Sequence, residues 1–207
     1  MIELFLSAFV SFFVVIDPPG CGPIFLGLTA GATHGHRNAM AIRAVIVATC
    51  ILIAFALIGE PLLAMLGIDL SSFRIAGGIM LFFIALEMVF EKRTQRREDR
   101  AQKVKDTPEV EDVSIFPMAM PMIAGPGSIA TVMLLMSRAQ GVEASIVVIS
   151  ALLANLLLML VALLAVGPLM RLVGQQVEAV ITRVLGVILA ALAVQFVVDG
   201  LRGSHLF

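Results

Sequence analysis

The sequence contains no tryptophan and no tyrosine. Multi-pass membrane proteins often mark the water-lipid boundary with these residues, so the ends of any span must be read from helix breakers and charges instead. Charged residues are also scarce, at 14% of 207, against roughly 25% in soluble domains. The two cysteines, Cys21 and Cys50, lie in different apolar stretches, which excludes a disulfide framework and a thiolate metal site and leaves small buried residues as the simplest reading. His34, His36 and His205 fall in loops or at the terminus, so no histidine and carboxylate cluster suggests a metal, a cofactor or an enzyme. No Lys or Arg precedes the first apolar run, which follows Met1-Ile2-Glu3, and no small-residue cleavage pattern comes after it. That run is therefore expected to stay as a span rather than be removed as a signal.

What the chain does have is apolar length. It is 60% hydrophobic with a mean hydropathy of +1.05, which places it among all-α integral membrane proteins. Six stretches can cross roughly 30 Å of hydrocarbon: about 4–29, 39–59, 67–86, 113–138, 144–166 and 181–198. Asn38 is the expected N-cap of the second, Glu60-Pro61 its end, and Asp69 or Ser71 the cap of the third. Gly77-Gly78 offers a flat surface for close helix packing. Gly167-Pro168 stops the fifth span.

Seven of the fourteen basic residues lie between Lys92 and Lys105: Lys92, Arg93, Arg96, Arg97, Arg100, Lys103 and Lys105. Acids are interleaved with them, so the stretch reads as a solvated linker, with no role in nucleic-acid binding. The organisation that follows is a three-span unit at 1–90, a charged linker at 91–112 and a second three-span unit at 113–207. Arg37 and Arg171 lie on the same side as the linker, so the positive-inside rule puts that side in the cytoplasm and both termini outside. The expected location is the cell membrane, the inner membrane in a bacterium.

Two clusters interrupt apolar runs where lipid could not satisfy the backbone they expose. Asp17 to Pro23 (DPPGCGP) breaks the first span and Ala124 to Ser128 (AGPGS) breaks the fourth. A shift of about 107 residues superposes Pro19-Gly20 on Pro126-Gly127, Pro61 on Pro168 and Gly67 on Gly174, and a small adjustment then pairs Arg74 with Arg183 and Gly77 with Gly186. The halves read as one duplicated unit. A unit of three spans enters the membrane from opposite sides in its two copies, so the expected architecture is an inverted repeat with spans one and four broken at matching places.

Half-helices that start after Gly20 and Gly127 would point free N–H groups and positive dipole ends at the protein centre, which suits a carboxylate, while the preceding carbonyls suit a cation. Together they match a zwitterion. The candidate substrate-binding residues are Asp17, Gly20, Cys21, Gly22, Gly125, Gly127, Ser128, Thr131 and Asn155. Asp17 is the one carboxylate placed deep in a span. It has three open roles: receiving a coupling proton, meeting a substrate ammonium, or capping the second half-helix. Thr29, Thr131, Ser128 and Asn155 can equally bond their own backbone. Glu87, Asp199, Arg74 and Arg183 read as interfacial residues or anchors.

DPPGCGPIFLGLT (Asp17 to Thr29), GIDLSSFRIAGGIML (Gly67 to Leu81), FPMAMPMIAGPGSIAT (Phe116 to Thr131) and VQFVVDG (Val194 to Gly200) together resemble the MarC family. The resemblance implies six spans and transport of glycine, alanine and similar small neutral amino acids, linked to a proton or sodium gradient. Many members have Asn where this chain has Cys21, and a thiol is the weaker hydrogen-bond partner.

The favoured reading is a secondary transporter embedded in lipid, monomeric or homo-oligomeric, with its substrate between Gly20 to Gly22 and Gly125 to Ser128. A site lined by Gly, Ser and Cys has no Arg or Lys to fix a large anion, which also counts against an intramembrane enzyme acting on a lipid phosphate. A pore for a small solute or ion remains open on the residues alone.

Overall fold

A computed structural model describes residues 1–105 and 112–204; residues 106–111 of the expected linker, and His205, lie outside the described residues. The described residues form eight helices and one irregular segment, without strands. Five helical stretches are long and apolar enough to cross a membrane, and a bent pair makes a sixth. The protein is a multi-pass integral membrane protein.

The first span, Ile2–Leu28, consists of α1 (Ile2–Ile16) and α2 (Pro18–Leu28), separated by Asp17 alone. Asp17 takes a left-handed conformation (φ 60°, ψ 65°), which an Asp tolerates better than most side chains. The hydrogen-bond ladder continues through it: its N–H donates to Phe13 O at 3.0 Å, and its own carbonyl accepts from Cys21 N–H at 3.1 Å. Pro18 and Pro19 stand where a helix's first N–H groups have no internal partner, so they fit there without cost.

Helix α3 (His34–Met65) begins earlier and ends later than its flanks suggest. Thr33, rather than Asn38, takes the cap position and accepts from His36 N–H at 3.4 Å. At the other end Pro61 removes a single donor without ending the helix, and the chain turns at Gly67, whose φ of 67° favours glycine. Helix α4 (Leu70–Val89) has Asp69 at its cap position but no side-chain cap bond.

The charged stretch differs most from expectation. It is helical as α5 (Lys92–Lys105), and it folds against α2, α4 and the segment that opens the fourth crossing rather than standing in water. Arg93 and Arg97 are buried, while Arg96, Glu98 and Asp99 are exposed. Arg93, Arg97 and Ala101 repeat every four residues and so form one stripe facing the bundle.

The fourth crossing pairs an irregular segment, Ser114–Ile123, with α6 (Pro126–Met136) across a 50° bend. Phe116 and Met120 are extended inside that segment, each preceding a proline, and the Phe116-Pro117 and Met120-Pro121 bonds are cis. Asp112 holds the start of the segment by accepting from Ser114 N–H at 2.8 Å and pairing with Arg43 of α3 at 2.9 Å. Helix α7 (Val142–Leu164) stops before Gly167-Pro168, and α8 (Val166–Gly203) follows after one residue. The stretch at 167–180, expected as a loop, is therefore part of α8.

Three of the contacts between elements have a counterpart of similar extent in the other half, while the packing of α1 on α8 has none between Ser114–Ile123 and α4. α1 packs on α7 as Ser114–Ile123 packs on α3, α2 packs on α7 as α6 packs on α3, and α2 packs on α8 as α6 packs on α4. The closest pair, α4 and α8, runs antiparallel over small residues. A Cβ on Gly78 would lie 2.8 Å from the Ala193 carbonyl, one on Gly186 3.1 Å from the Ala85 carbonyl, and one on Gly200 2.8 Å from the Ser71 carbonyl. The glycines thus let two backbones meet without side chains between them. Gly78→Leu should destabilise the protein by about 1–3 kcal/mol, measured as unfolding of the purified protein in detergent, whereas Gly31→Ala, with open space around it, should leave stability unchanged.

Candidate functional site

The site begins with carbonyls that α1 cannot satisfy. In an unbroken helix the Val15 carbonyl would accept from residue 19, but Pro19 has no N–H. Arg93 replaces it: its Nη2 donates to Val15 O at 2.7 Å, while Nη1 donates to Met88 Sδ at 2.9 Å. The Ile16 carbonyl would accept from residue 20, but Gly20 N–H instead donates to Asp17 Oδ1 at 3.2 Å. The Cys21 thiol takes that place and donates to Ile16 O at 3.6 Å. Asp17 therefore caps α2. A Cβ on Gly20 would lie 2.4 Å from Asp17 Oδ2, so glycine is what lets the carboxylate fold over the helix start.

The second Asp17 oxygen is bound from α5, with Arg97 Nη1 donating to Oδ2 at 2.9 Å. Asp17 is 1% exposed and Arg97 9%. Burying either charge alone would cost several kcal/mol, so each makes the other tolerable. Arg93 lies on the same face of α5 and its two hydrogen bonds go to neutral acceptors. Burial, with the neighbouring Arg97 charge adding to it, lowers Arg93 to about 10, which still leaves it charged at neutral pH. Arg96 pairs with Glu87 near the surface.

The bend in the fourth crossing meets the end of α1 from the other half of the chain. Gly125 (φ −82°, ψ 172°) precedes α6, and no side chain caps that helix. Ser128 Oγ donates back across the bend to Ile123 O at 2.7 Å, and Thr131 Oγ1 donates to Gly127 O at 2.8 Å. A Cβ on Gly127 would lie 3.3 Å from Val15 Cγ1, so the start of α6 lies against the end of α1. A cavity of about 580 Å³ opens at this junction. Its walls are Arg93, Arg96 and Arg97 of α5, Ile84 of α4, the Ile115–Phe116 and Met120–Met122 portions of the irregular segment, and Gly125 to Ser128.

The expected site residues divide accordingly. Gly125, Gly127 and Ser128 line the cavity, and Asp17 is joined to it through Arg97. Gly20, Cys21 and Gly22 are buried in α2 and are not part of its walls. Thr131 sits one turn further along α6. Asn155 is on α7, where its Nδ2 donates to Phe9 O at 2.9 Å and Ala151 O at 3.1 Å, about 12 Å along α1 from Asp17 at 1.5 Å per residue. Thr29 closes the end of α2 by donating to Phe25 O at 2.7 Å. On the far side, Arg138 pairs with Asp199 and stacks 4.2 Å over Phe196, and Arg74 donates to Ser137 O at 2.9 Å.

The expectation that no Arg stands beside the breaks is corrected, because α5 brings three arginines to the cavity wall. Interleaved acids made that stretch look evenly solvated, but the acids occupy the other face of the helix. The four-residue repeat of Arg93, Arg97 and Ala101 was the available signal. Chemically, the cavity presents guanidinium groups and the open start of a helix on an apolar wall, an arrangement suited to a small anionic or zwitterionic guest.

A family model described as MarC family integral membrane protein matches residues 2–205. Among similar proteins, a UPF0056 membrane protein of Methanocaldococcus jannaschii is 37% identical over 99% of both chains. The UPF0056 membrane protein YvbG of Bacillus subtilis is 34% identical over 98% of this chain and 96% of its own. YhcE of Escherichia coli, of the same description, is 30% identical over 97% of this chain and 93% of its own. No solved structure matches.

Proposed function

Since the chain belongs to the MarC family of integral membrane proteins, we propose that it is a secondary transporter of small neutral amino acids of the glycine and alanine class. The observation that carries this reading is the cavity of about 580 Å³ lined by Gly125 to Ser128, where the fourth crossing bends. Its volume is within the range of small-molecule sites, and irregular backbone at membrane depth is tolerated where it lines such a space. The exchangeable contacts of α1, α2 and α3 with the elements at 114–164 support an inverted repeat, the architecture in which two halves trade conformations and expose one site to each side in turn.

Asp17 is the coupling residue in this reading. A proton delivered to its carboxylate would cancel the charge that holds Arg97, and α5 would lose one of its ties to the bundle. The charged side bearing α5 faces the cytoplasm of the cell, and both termini face outward. The test is flux in proteoliposomes. Labelled alanine should exchange saturably against unlabelled alanine and accumulate under an imposed proton or sodium gradient. Unsaturable flow without exchange would replace the carrier by a pore, and absence of flux for glycine, alanine and serine would remove the substrate class.

A further inference from the structure

The charges around the cavity do not balance. Arg97 is paired with Asp17 and Arg96 with Glu87, but Arg93, 8% exposed, has no carboxylate in ion-pair range among the described residues. A buried guanidinium without a counter-ion is unfavourable by several kcal/mol. Only two of its five N–H donors are used, on Val15 O and Met88 Sδ. The side chain lines the cavity, and the same cavity holds the start of α6, whose first N–H groups have no side-chain cap. Two independent features, a spare buried cation and an open helix start, therefore favour the same kind of guest.

We propose that this cavity binds a carboxylate monoanion, received by the Arg93 guanidinium in the space that also holds the uncapped start of α6. One negative charge restores neutrality, whereas a dianion would overshoot it. A planar carboxylate also matches the fork of a guanidinium better than a spherical ion does. The inference rests on the transport reading in that the carboxylate is assigned to the substrate itself, the α-carboxylate of the amino acid. A simple carboxylate with no ammonium group has the same chemistry, and the experiment separates the two.

The purified full chain in lipid nanodiscs is titrated by calorimetry with alanine, alaninamide, acetate and chloride. Alanine and acetate should bind competitively, and alaninamide, which lacks the carboxylate, at least about tenfold more weakly. Arg93→Gln should weaken both carboxylates by about tenfold or more, a change of about 1.4 kcal/mol, and Arg93→Lys should retain part of the affinity. Because Arg93 also holds Val15 O, the glutamine variant is compared only after cooperative unfolding shows it folded; the alanine and alaninamide comparison needs no variant. Equal binding of those two overturns the proposal, as does carboxylate affinity within twofold in Arg93→Gln, or occupancy by chloride alone. Acetate binding through Arg93 without alanine binding would keep the anion site and end the amino acid reading. Alanine binding indifferent to Arg93 would do the reverse, and binding of none of the probes would end both.

Discussion

Asp17→Asn should destabilise the protein by about 3–5 kcal/mol, because it leaves the buried Arg97 without its carboxylate. Asn is as good an N-cap as Asp, so the bond from Gly20 N–H survives and the substitution isolates the charge. The double change Asp17→Asn with Arg97→Gln should recover most of the stability, since neither charge is then stranded. Unfolding in detergent gives the four stabilities of the cycle, and a coupling energy near zero would show that the pair is not what anchors α5. Transport reads out a separate property: the restored double variant should still fail to accumulate substrate under a gradient, because its site has no carboxylate to protonate. Gradient-driven accumulation by that variant would remove Asp17 from coupling and leave it as a cap and anchor.

Gly125→Ala should have the other large effect, this time on transport. The added Cβ would lie 2.3 Å from the Pro121 carbonyl oxygen, and that contact is with backbone, which no rotamer change can relieve. The φ of Gly125 is ordinary, so the difficulty is close approach and not conformation. Relief requires the bend between Ile123 and Pro126 to open by the better part of an ångström, and misplacement on that scale can cost about 10²-fold in rate. Exchange of labelled alanine should fall by about that factor, with a stability loss of about 1–3 kcal/mol. Gly27→Ala, with nothing within 4 Å of the added atom, is the control and should transport normally. An active Gly125→Ala variant would mean that the bend does not shape the site.

The apolar runs, the prolines and the glycines determined much of this protein by themselves. Proline cannot donate and glycine can approach closely in any tertiary setting, so DPPGCGP and AGPGS had to mark places where backbone groups lose their ordinary helical partners; the sharp bend comes at the second, while Ile2–Leu28 runs on as one span. Twenty-residue apolar stretches had to be spans because lipid accepts little else. Capping of its own helix start was one of the three roles open to Asp17 for the same local reason, and the use of Gly77-Gly78 as a packing surface was legible. Element ends were less legible: Pro61 did not stop α3 and Gly167-Pro168 did not begin a loop, because one missing hydrogen bond near a helix end is easily absorbed.

What only the tertiary structure decided is where the charged stretch goes. Interleaved acids and bases are compatible with a helix, but do not say which of its faces leaves water. That choice depends on partners remote in sequence: the carbonyl of Val15, orphaned by Pro19, and the carboxylate of Asp17, held over Gly20, are each about eighty residues from the arginines that meet them. Charges become tolerable inside a membrane protein only when such partners are already in place. The folding of α5 onto the end of α1 therefore brings Arg93, Arg96 and Arg97 to the wall of the cavity that Gly125 to Ser128 also line.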